Sequence, residues 1–315
     1  MMSDFDLLVA GELNPDLILS DPNLEPRFGQ HEILVESADL TIGSSSAIFA
    51  CGAARLGLRV GFVGVVGDDE FGRFMCRSLG AAGVDVSAVV VEPGQRTGLS
   101  VILTRGTDRA ILTHVGAVGS LRAEQVPASL LQKARHLHVA SFFLQNALQP
   151  GLADLFRGAR GLGLTTSLDT NWDPHEAWTG LKEVLAVTDV FLPNEAEALA
   201  ITACGDLEAA VQNLSDWIPR GAVKLGAKGA LAWRAQERAR AAALQVPAVD
   251  TVGAGDSFDA GFVFGFLSGW TLQRSLEMAV ACGSLSTRAA GGTAAQPTLA
   301  EALQHLNEGG HGPAG

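Results

Sequence analysis

The 315-residue chain has little that would tie it to a membrane, a nucleic acid or an oxidising compartment. Its four cysteines, Cys51, Cys76, Cys204 and Cys282, are scattered without pair spacing through apolar, helix-like stretches. Disulfide frames and zinc sites need a different pattern, so these read as reduced core thiols of a cytoplasmic protein. There is no long apolar run: residues 260–270 come nearest, are interrupted by glycines and a serine, and fall short of the about 20 residues that cross a bilayer. The start, Met1-Met2-Ser3-Asp4, lacks the basic-then-apolar pattern of a secretory signal. Basic runs are absent and the formal net charge is −12, which argues against binding nucleic acid by phosphate neutralisation. A polyphosphate ligand would be repelled by that field, and would need local amides, a few cations and a metal ion travelling with it. Two nucleotide signatures are missing as well. No glycine loop is followed by the Lys-Ser/Thr of a P-loop, and Gly61, Gly64 and Gly67 lack the tight G-x-G of a dinucleotide fingerprint.

What is present is an alternation of short apolar runs with amphipathic stretches. With 47% hydrophobic and 18% charged residues, the chain is long enough to bury a large core, and no linker or internal repeat divides it, so residues 1–315 are expected to form one domain. Residues 5–12, 60–67, 136–141, 165–170, 189–194 and 221–226 read as strands buried on both faces. Residues 71–82, 151–161, 195–203 and 207–217 read as the helices between them. This order predicts an α/β fold, a mainly parallel sheet covered by helices on both sides. Two stretches, 17–41 and 97–115, break the rhythm. The second reads LSVILTR, Gly106-Thr107-Asp108, AILTHV, a strand, turn and strand with no helix, and together they predict a small antiparallel β element. Beyond Ala254 the pattern is helical, and residues 309–315 (GGHGPAG) read as a frayed tail.

The segment DTVGAGDSFDAGF (residues 250–262) places the turn Gly253-Ala254-Gly255 before a helical pattern of Phe258, Phe262, Val263 and Phe266. Amides in such a turn can approach a ligand closely, and a helix N-terminus adds about half a positive charge, so the place suits an anion. Asp256 stands where it would repel that anion. Two roles fit it: a helix cap, or a base that takes the proton of a hydroxyl nucleophile while adjacent amides hold the charge developing on a transferring phosphoryl group.

This segment resembles the D-T-x-G-A-G-D-x-F-x-A-G signature of the ribokinase-like (PfkB) carbohydrate kinase family. GELNPD (residues 11–16) resembles that family's first sugar-contacting turn, GSSSAIFACGAARLG (43–57) its glycine-rich second signature, and VGDDEFGRF the segment that follows. PNEAEA (193–198) resembles its N-x-x-E motif, and VKLGAKGA (223–230) its nucleotide-side strand and turn. The segments occur in family order over residues 5–300. The resemblance implies a doubly wound α/β/α fold with a small β lid formed by 17–41 and 97–115. It also implies transfer of the ATP γ-phosphate to a hydroxyl of a small sugar or polyol, as in ribokinase, fructokinase or 2-keto-3-deoxygluconate kinase. Asp256 would be the base, with the amides of Ala254, Gly255 and Asp256 as anion hole and Gly253 permitting the turn. Asn194 and Glu197 would organise Mg²⁺ and the phosphates, Glu197 through water. Asn14, Asp16, Gly43, Ser44 and Ser45 are the sugar-side candidates. Lys224, Gly226, Lys228, Gly229 and, on a late helix, Cys282 between Ala281 and Gly283 are candidates for the nucleotide. Asp250 with the backbone of residues 289–293 is a candidate for K⁺. The residues alone leave other readings open: Asn194 as a helix cap, Glu197 as a first-turn acid, Asn-Pro-Asp as a common turn, and the late small residues as helix packing.

Several positions depart from the family pattern. Gly43 is followed by Ser44-Ser45-Ser46 where many relatives begin Gly-Gly, and Ile48 stands where they carry Asn. Trp172 occupies the place of an Arg that follows Asn in 2-keto-3-deoxygluconate kinases. The only cations for an acidic substrate in the lid region are Arg27, Arg96, Arg105 and Arg109, so a neutral sugar or polyol is expected. A nucleoside kinase and a non-catalytic sugar sensor are the alternatives, the latter disfavoured by retention of Asp256 and its whole turn. The uncovered β element makes a homodimer through the lid the expected assembly, with neither nucleic acid nor membrane as partner.

Overall fold

The computed structural model describes residues 3–106 and 108–309. Met1, Met2, Thr107 of the expected lid turn, and all of the expected tail except Gly309 lie outside the described residues. In chain order the strands are β1 (Leu7–Ala10), β2 (Pro15–Ser20), β3 (Ser37–Ile42), β4 (Val60–Val63), β5 (Val65–Gly67), β6 (Val84–Asp85), β7 (Val90–Glu92), β8 (Leu99–Arg105), β9 (Asp108–His114), β10 (His136–Val139), β11 (Thr165–Leu168), β12 (Val190–Phe191), β13 (Arg220–Lys224), β14 (Ala230–Arg234) and β15 (Glu237–Ala241). The helices are α1 (Ser45–Arg55), α2 (Glu70–Ala81), α3 (Ala128–Leu131), α4 (Gln149–Gly161), α5 (Leu181–Leu185), α6 (Glu195–Thr202), α7 (Leu207–Trp217), α8 (Ala254–Leu267), α9 (Leu272–Ser286) and α10 (Leu299–Gly309).

Nine strands form the central sheet in the order β15-β14-β13-β12-β11-β10-β1-β4-β6. Pairing is parallel from β6 across to β13, and antiparallel only where β14 and β15 fold back as hairpins. The reason lies in strands such as β1, whose sequence LLVA is buried at every position. The pleat sends Leu8 and Ala10 into one apolar cluster with Leu137, Phe156 and Trp233, and Leu7 and Val9 into another with Phe49, Phe62 and Phe262. A strand apolar on both faces needs helices on both faces, which is the doubly wound arrangement predicted from the alternation.

A separate four-stranded sheet runs in the order β3-β2-β8-β9. The expectation of an antiparallel element is corrected here: β2–β3 and β8–β9 are antiparallel, but β2 and β8 are parallel. Between them the chain passes through α1, β4 and α2 of the larger body, so β8 enters the sheet in the same direction as β2, which a tight hairpin cannot arrange. Every residue of β9 is exposed, including Ile111 and Leu112. Among the described residues no helix is long and apolar enough to cross a membrane.

Candidate active site

Side chains at or just past the C-terminal ends of β1, β11, β12 and β13 meet the first turns of α8, the place where open parallel sheets hold ligands. The turn into α8 rests on glycine. Gly253, its N-cap, has φ 71°, and a Cβ there would lie 2.7 Å from Gly292 Cα and 2.9 Å from Ile48 Cγ2. Both backbone conformation and space exclude a side chain. Gly253 therefore holds the cap position, and Asp256 lies three residues further on, in the first turn. The Asp256 carboxyl is buried and hydrogen-bonds Ser45 at the start of α1. Burial, with the Asp169 charge next, pushes it up to about 8, against the pull of Lys224.

Asp256 belongs to a cluster. Oxygens of Asp169, Asp256 and Asp259 all lie within 4.8 Å of one another. Asp259 follows Asp256 by three residues and so shares its helix face, while Asp169 follows β11. Three carboxylates this close suit a cation, and the protein supplies one: Lys224 Nζ donates to Asp169 Oδ2 at 3.0 Å and to Asp259 Oδ2 and Oδ1 at 3.0 and 3.2 Å. The Lys224 ammonium also stands 3.5 Å from where a Cβ of Gly255 would be, against the glycine turn. Burial opposes the charge on Lys224, but Asp169, Asp259 and Glu197 together raise its proton affinity. Burial likewise disfavours a charged Asp169, yet Lys224 and the hydrogen bond from Asp259 keep it a carboxylate. Asp259 is raised well above the usual range by burial, against the pull of Lys224.

On the neighbouring strand end, Asn194 caps α6. Asn194 Oδ1 accepts from Glu197 N at 2.9 Å, Glu197 Oε2 accepts from Asn194 N at 2.9 Å, and Asn194 Nδ2 donates to Glu197 Oε1 at 2.6 Å. The helix-cap reading of Asn194 is thus realised, and it fixes Glu197 inward, buried, with its carboxyl pushed up to about 7 by burial and by Asp169. Both carboxylate oxygens already accept protein N–H groups. Direct metal ligation does not fit them, whereas a hydrated Mg²⁺ held through water does.

The other side of the site is built on Glu12, which is buried. Glu12 accepts from Ser46 N and Ser46 Oγ at 3.1 and 2.5 Å and from Ser141 Oγ at 2.8 Å. Ser44 Oγ donates to Glu12 O at 2.6 Å and caps α1 by accepting from Ala47 N. Ser45 Oγ and Ser141 Oγ both accept from Asn171 Nδ2, at 2.6 and 2.7 Å. The Asp16 carboxyl lies on Gly43, where a Cβ would stand 2.1 Å from its Oδ1, and burial pushes it up to about 6. Asn14 is buried beside it, its amide donating to Pro15 O at 3.4 Å.

Asp256, the glycine turn, Ser45 and Lys224 thus form one centre, with Asn194 and Glu197 adjoining it. Lys224, a candidate for the nucleotide, places its ammonium in the acid cluster. Lys228 is exposed and pairs with Glu195 at 3.5 Å. Gly226 and Gly229, φ 57° and 91°, shape the turn between β13 and β14. Cys282 is not at the centre: it is buried in the α8–α9 seam, 3.8 Å from Met278 Sδ and beside Gly261. Asp250 accepts from Val252 N and Gly291 N, both at 3.0 Å, and has Arg109 Nη1 of β9 at 3.8 Å. Sequence reading missed Glu12, Asp169 and Asp259. The signal for Asp259 was its i+3 spacing from Asp256, and for Asp169 its place at a strand end; Glu12 had only its neighbours in GELNPD.

A family profile, pfkB family carbohydrate kinase, matches residues 4–299. The ATP-dependent ribose-1-phosphate kinase of Halopiger xanaduensis is 32% identical over 96% of this chain and 98% of that relative. The 2-dehydro-3-deoxygluconokinase of Bacillus subtilis is 30% identical over 89% of this chain and 90% of its own length. Among solved structures, a candidate ribokinase II from E. coli in complex with ATP and Mg²⁺ superposes with a TM-score of 0.86 at 26% identity, covering 96% of this chain and 99% of that one. The chain belongs to the pfkB family of carbohydrate kinases.

Proposed function

We propose that this protein transfers the γ-phosphoryl group of ATP to a hydroxyl of a small neutral sugar or polyol. The observation that carries the reading is Asp256: a buried carboxyl, raised to about 8, in the helix turn directly behind the Gly253-Ala254-Gly255 amides. A base and an anion hole have to be neighbours, because the hydroxyl loses its proton where the phosphoryl group gathers charge. The substrate O–H bond breaks as the O–P bond forms, the proton passes to the Asp256 carboxylate, and ADP departs with the electrons of the broken P–O bond. The amides of Ala254, Gly255 and Asp256 and the Lys224 ammonium face the developing charge. Asn14, Asp16, Ser44 and Ser45 bind the sugar hydroxyls, and Asn194 and Glu197 hold the hydrated Mg²⁺ through water. Mg²⁺ supplies charge neutralisation of the phosphates. The ATP and Mg²⁺ in the E. coli relative support both ligands here.

A neutral acceptor is favoured because the lid arginines are engaged: Arg27 with Glu25, Arg105 with Asp108 and Arg109 with Asp250 in ion pairs, and Arg96 acting on Asp69. The β3-β2-β8-β9 sheet is the lid and, through its exposed edge, the homodimer contact. The four unpaired cysteines support a cytoplasmic location. The test is ADP release with ATP, Mg²⁺ and a panel of sugars, polyols, ribose 1-phosphate, adenosine and inosine. Acceptor-dependent release with a neutral sugar is expected. Release with ribose 1-phosphate or a nucleoside alone would move the substrate assignment, and acceptor-independent background throughout would favour a sugar sensor.

A further inference from the structure

A hydrogen-bonded relay runs between β10 and β11 toward the acid cluster. Thr165 Oγ1 lies 2.7 Å from His136 Nδ1, His136 Nε2 lies 2.7 Å from Ser167 Oγ, and Ser167 Oγ lies 2.7 Å from His138 Nδ1. The parallel register, His136 beside Thr165 and His138 beside Ser167, sets the spacing. His136, His138 and Ser167 are fully buried. The His138 ring stacks on Phe49 of α1, centroids 3.6 Å apart. At the inner end of the relay, His138 Nε2 is buried without a hydrogen-bond partner among the described residues. A buried polar atom left open in this way calls for a reason.

The charges acting on His138 are Asp169 and Lys224, and those on His136 are Arg135 and the other imidazole. Burial keeps both rings neutral, with His138 pushed down to about 3. Each neutral ring then has one proton and one acceptor nitrogen. If His138 carries its proton on Nε2, Nδ1 accepts from the Ser167 hydroxyl, Ser167 accepts from His136 Nε2–H, and His136 Nδ1 accepts from the Thr165 hydroxyl. Every proton between the ring nitrogens and hydroxyls of the relay then has one acceptor, and the Nε2 proton, which has none, lies in the field of Asp169. The reverse order would leave a bare, buried Nε2 lone pair within the field of the Asp169 anion.

We propose that His138 is a positioning residue of the phosphoryl-transfer site: the Thr165–His136–Ser167 relay fixes its proton on Nε2, and that N–H dipole steadies the ionised Asp169 that Lys224 bridges to Asp259. Asp256, on which Asp169, Lys224, Glu12 and Ser45 act, then remains the member of the cluster free to take the substrate proton. The kinetic part of this inference rests on the kinase reading above; the tautomer does not.

Two readouts therefore test it. In ¹⁵N-labelled protein, with the His138 signal assigned by its loss in His138→Phe, the two-bond proton–nitrogen couplings should report an Nε2–H tautomer in the wild type and a mixture in Ser167→Ala. In the pH profile of kcat/KM, His138→Phe, which keeps the stack on Phe49, should move the acid limb upward by about half a pH unit. Ser167→Ala should do so less, and Ser167→Thr, which retains the hydroxyl, should restore the wild-type limb. An Nδ1–H tautomer in the wild type overturns the proposal. So does an unchanged acid limb in both variants with only the melting temperature lowered, which is the signature of packing alone. If no acceptor supports turnover, the kinase reading fails and the tautomer measurement still decides this one.

Discussion

At Asp256 folding raises the proton affinity of a carboxyl from 3.8 to about 8, and this has two consequences of opposite kind. For turnover, the base works only when ionised, so kcat/KM should climb from pH 6 and level off above about 8, read as initial rates across buffers of constant ionic strength. A plateau already reached at pH 6 would contradict the burial seen at this residue. For stability, the native state keeps a proton between pH 3.8 and about 8 that the unfolded chain has released. The associated stabilisation is full at low pH and is lost as pH rises through 8. Asp256→Asn removes that loss, so at pH 8.5 the variant should melt no lower than the wild type, and a clear drop would contradict the raised proton affinity. Lys224 carries a second residue-scale expectation. Lys224→Met leaves Asp169 and Asp259 without their cation, and should lower kcat by about 10²-fold or more. Unchanged kcat with altered KM for ATP would return Lys224 to a purely nucleotide-binding role.

Among the elements, the lid separates what was legible from what was not. Alternation of short apolar runs with helices made the central sheet readable, because β1 and β4 are apolar and buried at every position. The hairpin strands β14 and β15 escaped because ALAWR and ERARA are rich in Ala and Arg, residues with weak strand preference. In the lid the stretches without helix marked its strands, but the parallel β2–β8 pair depends on where the chain goes between them. The same limit applies at the site. DTVGAGD announced itself through local backbone demands, whereas Glu12 and Asp169 acquire meaning only from strands brought together by the fold. If the lid closes on the sugar, amide exchange in β2, β3, β8 and β9 should slow on adding a substrate that is turned over, while β1 and β10, already protected, change little. Identical exchange with and without substrate would remove the lid role. Arg109 ties this sheet to Asp250 at 3.8 Å, so a potassium ion bound at Asp250 would compete with a guanidinium. Arg109→Ala should increase stimulation by KCl over NaCl; equal salt response in both proteins would take Asp250 out of cation binding.

For the whole molecule, the formal charge of −12 opposes any polyphosphate, and the glycine turn itself contains no Lys. Binding therefore depends on a divalent ion arriving with ATP. Turnover should vanish in excess chelator and return with added Mg²⁺, and persistence in chelator would show that Lys224 and the amides suffice alone. All of this converges on one assignment, that Asp256 takes the proton from the acceptor hydroxyl. The most direct measurement is phosphoryl transfer to the best acceptor by wild type and Asp256→Asn, side by side at saturating substrates. A loss of about 10²-fold to 10⁴-fold in kcat, the range for removing a general base, with the melting temperature retained, is the predicted result. Near-wild-type kcat in a folded Asp256→Asn protein would contradict the account.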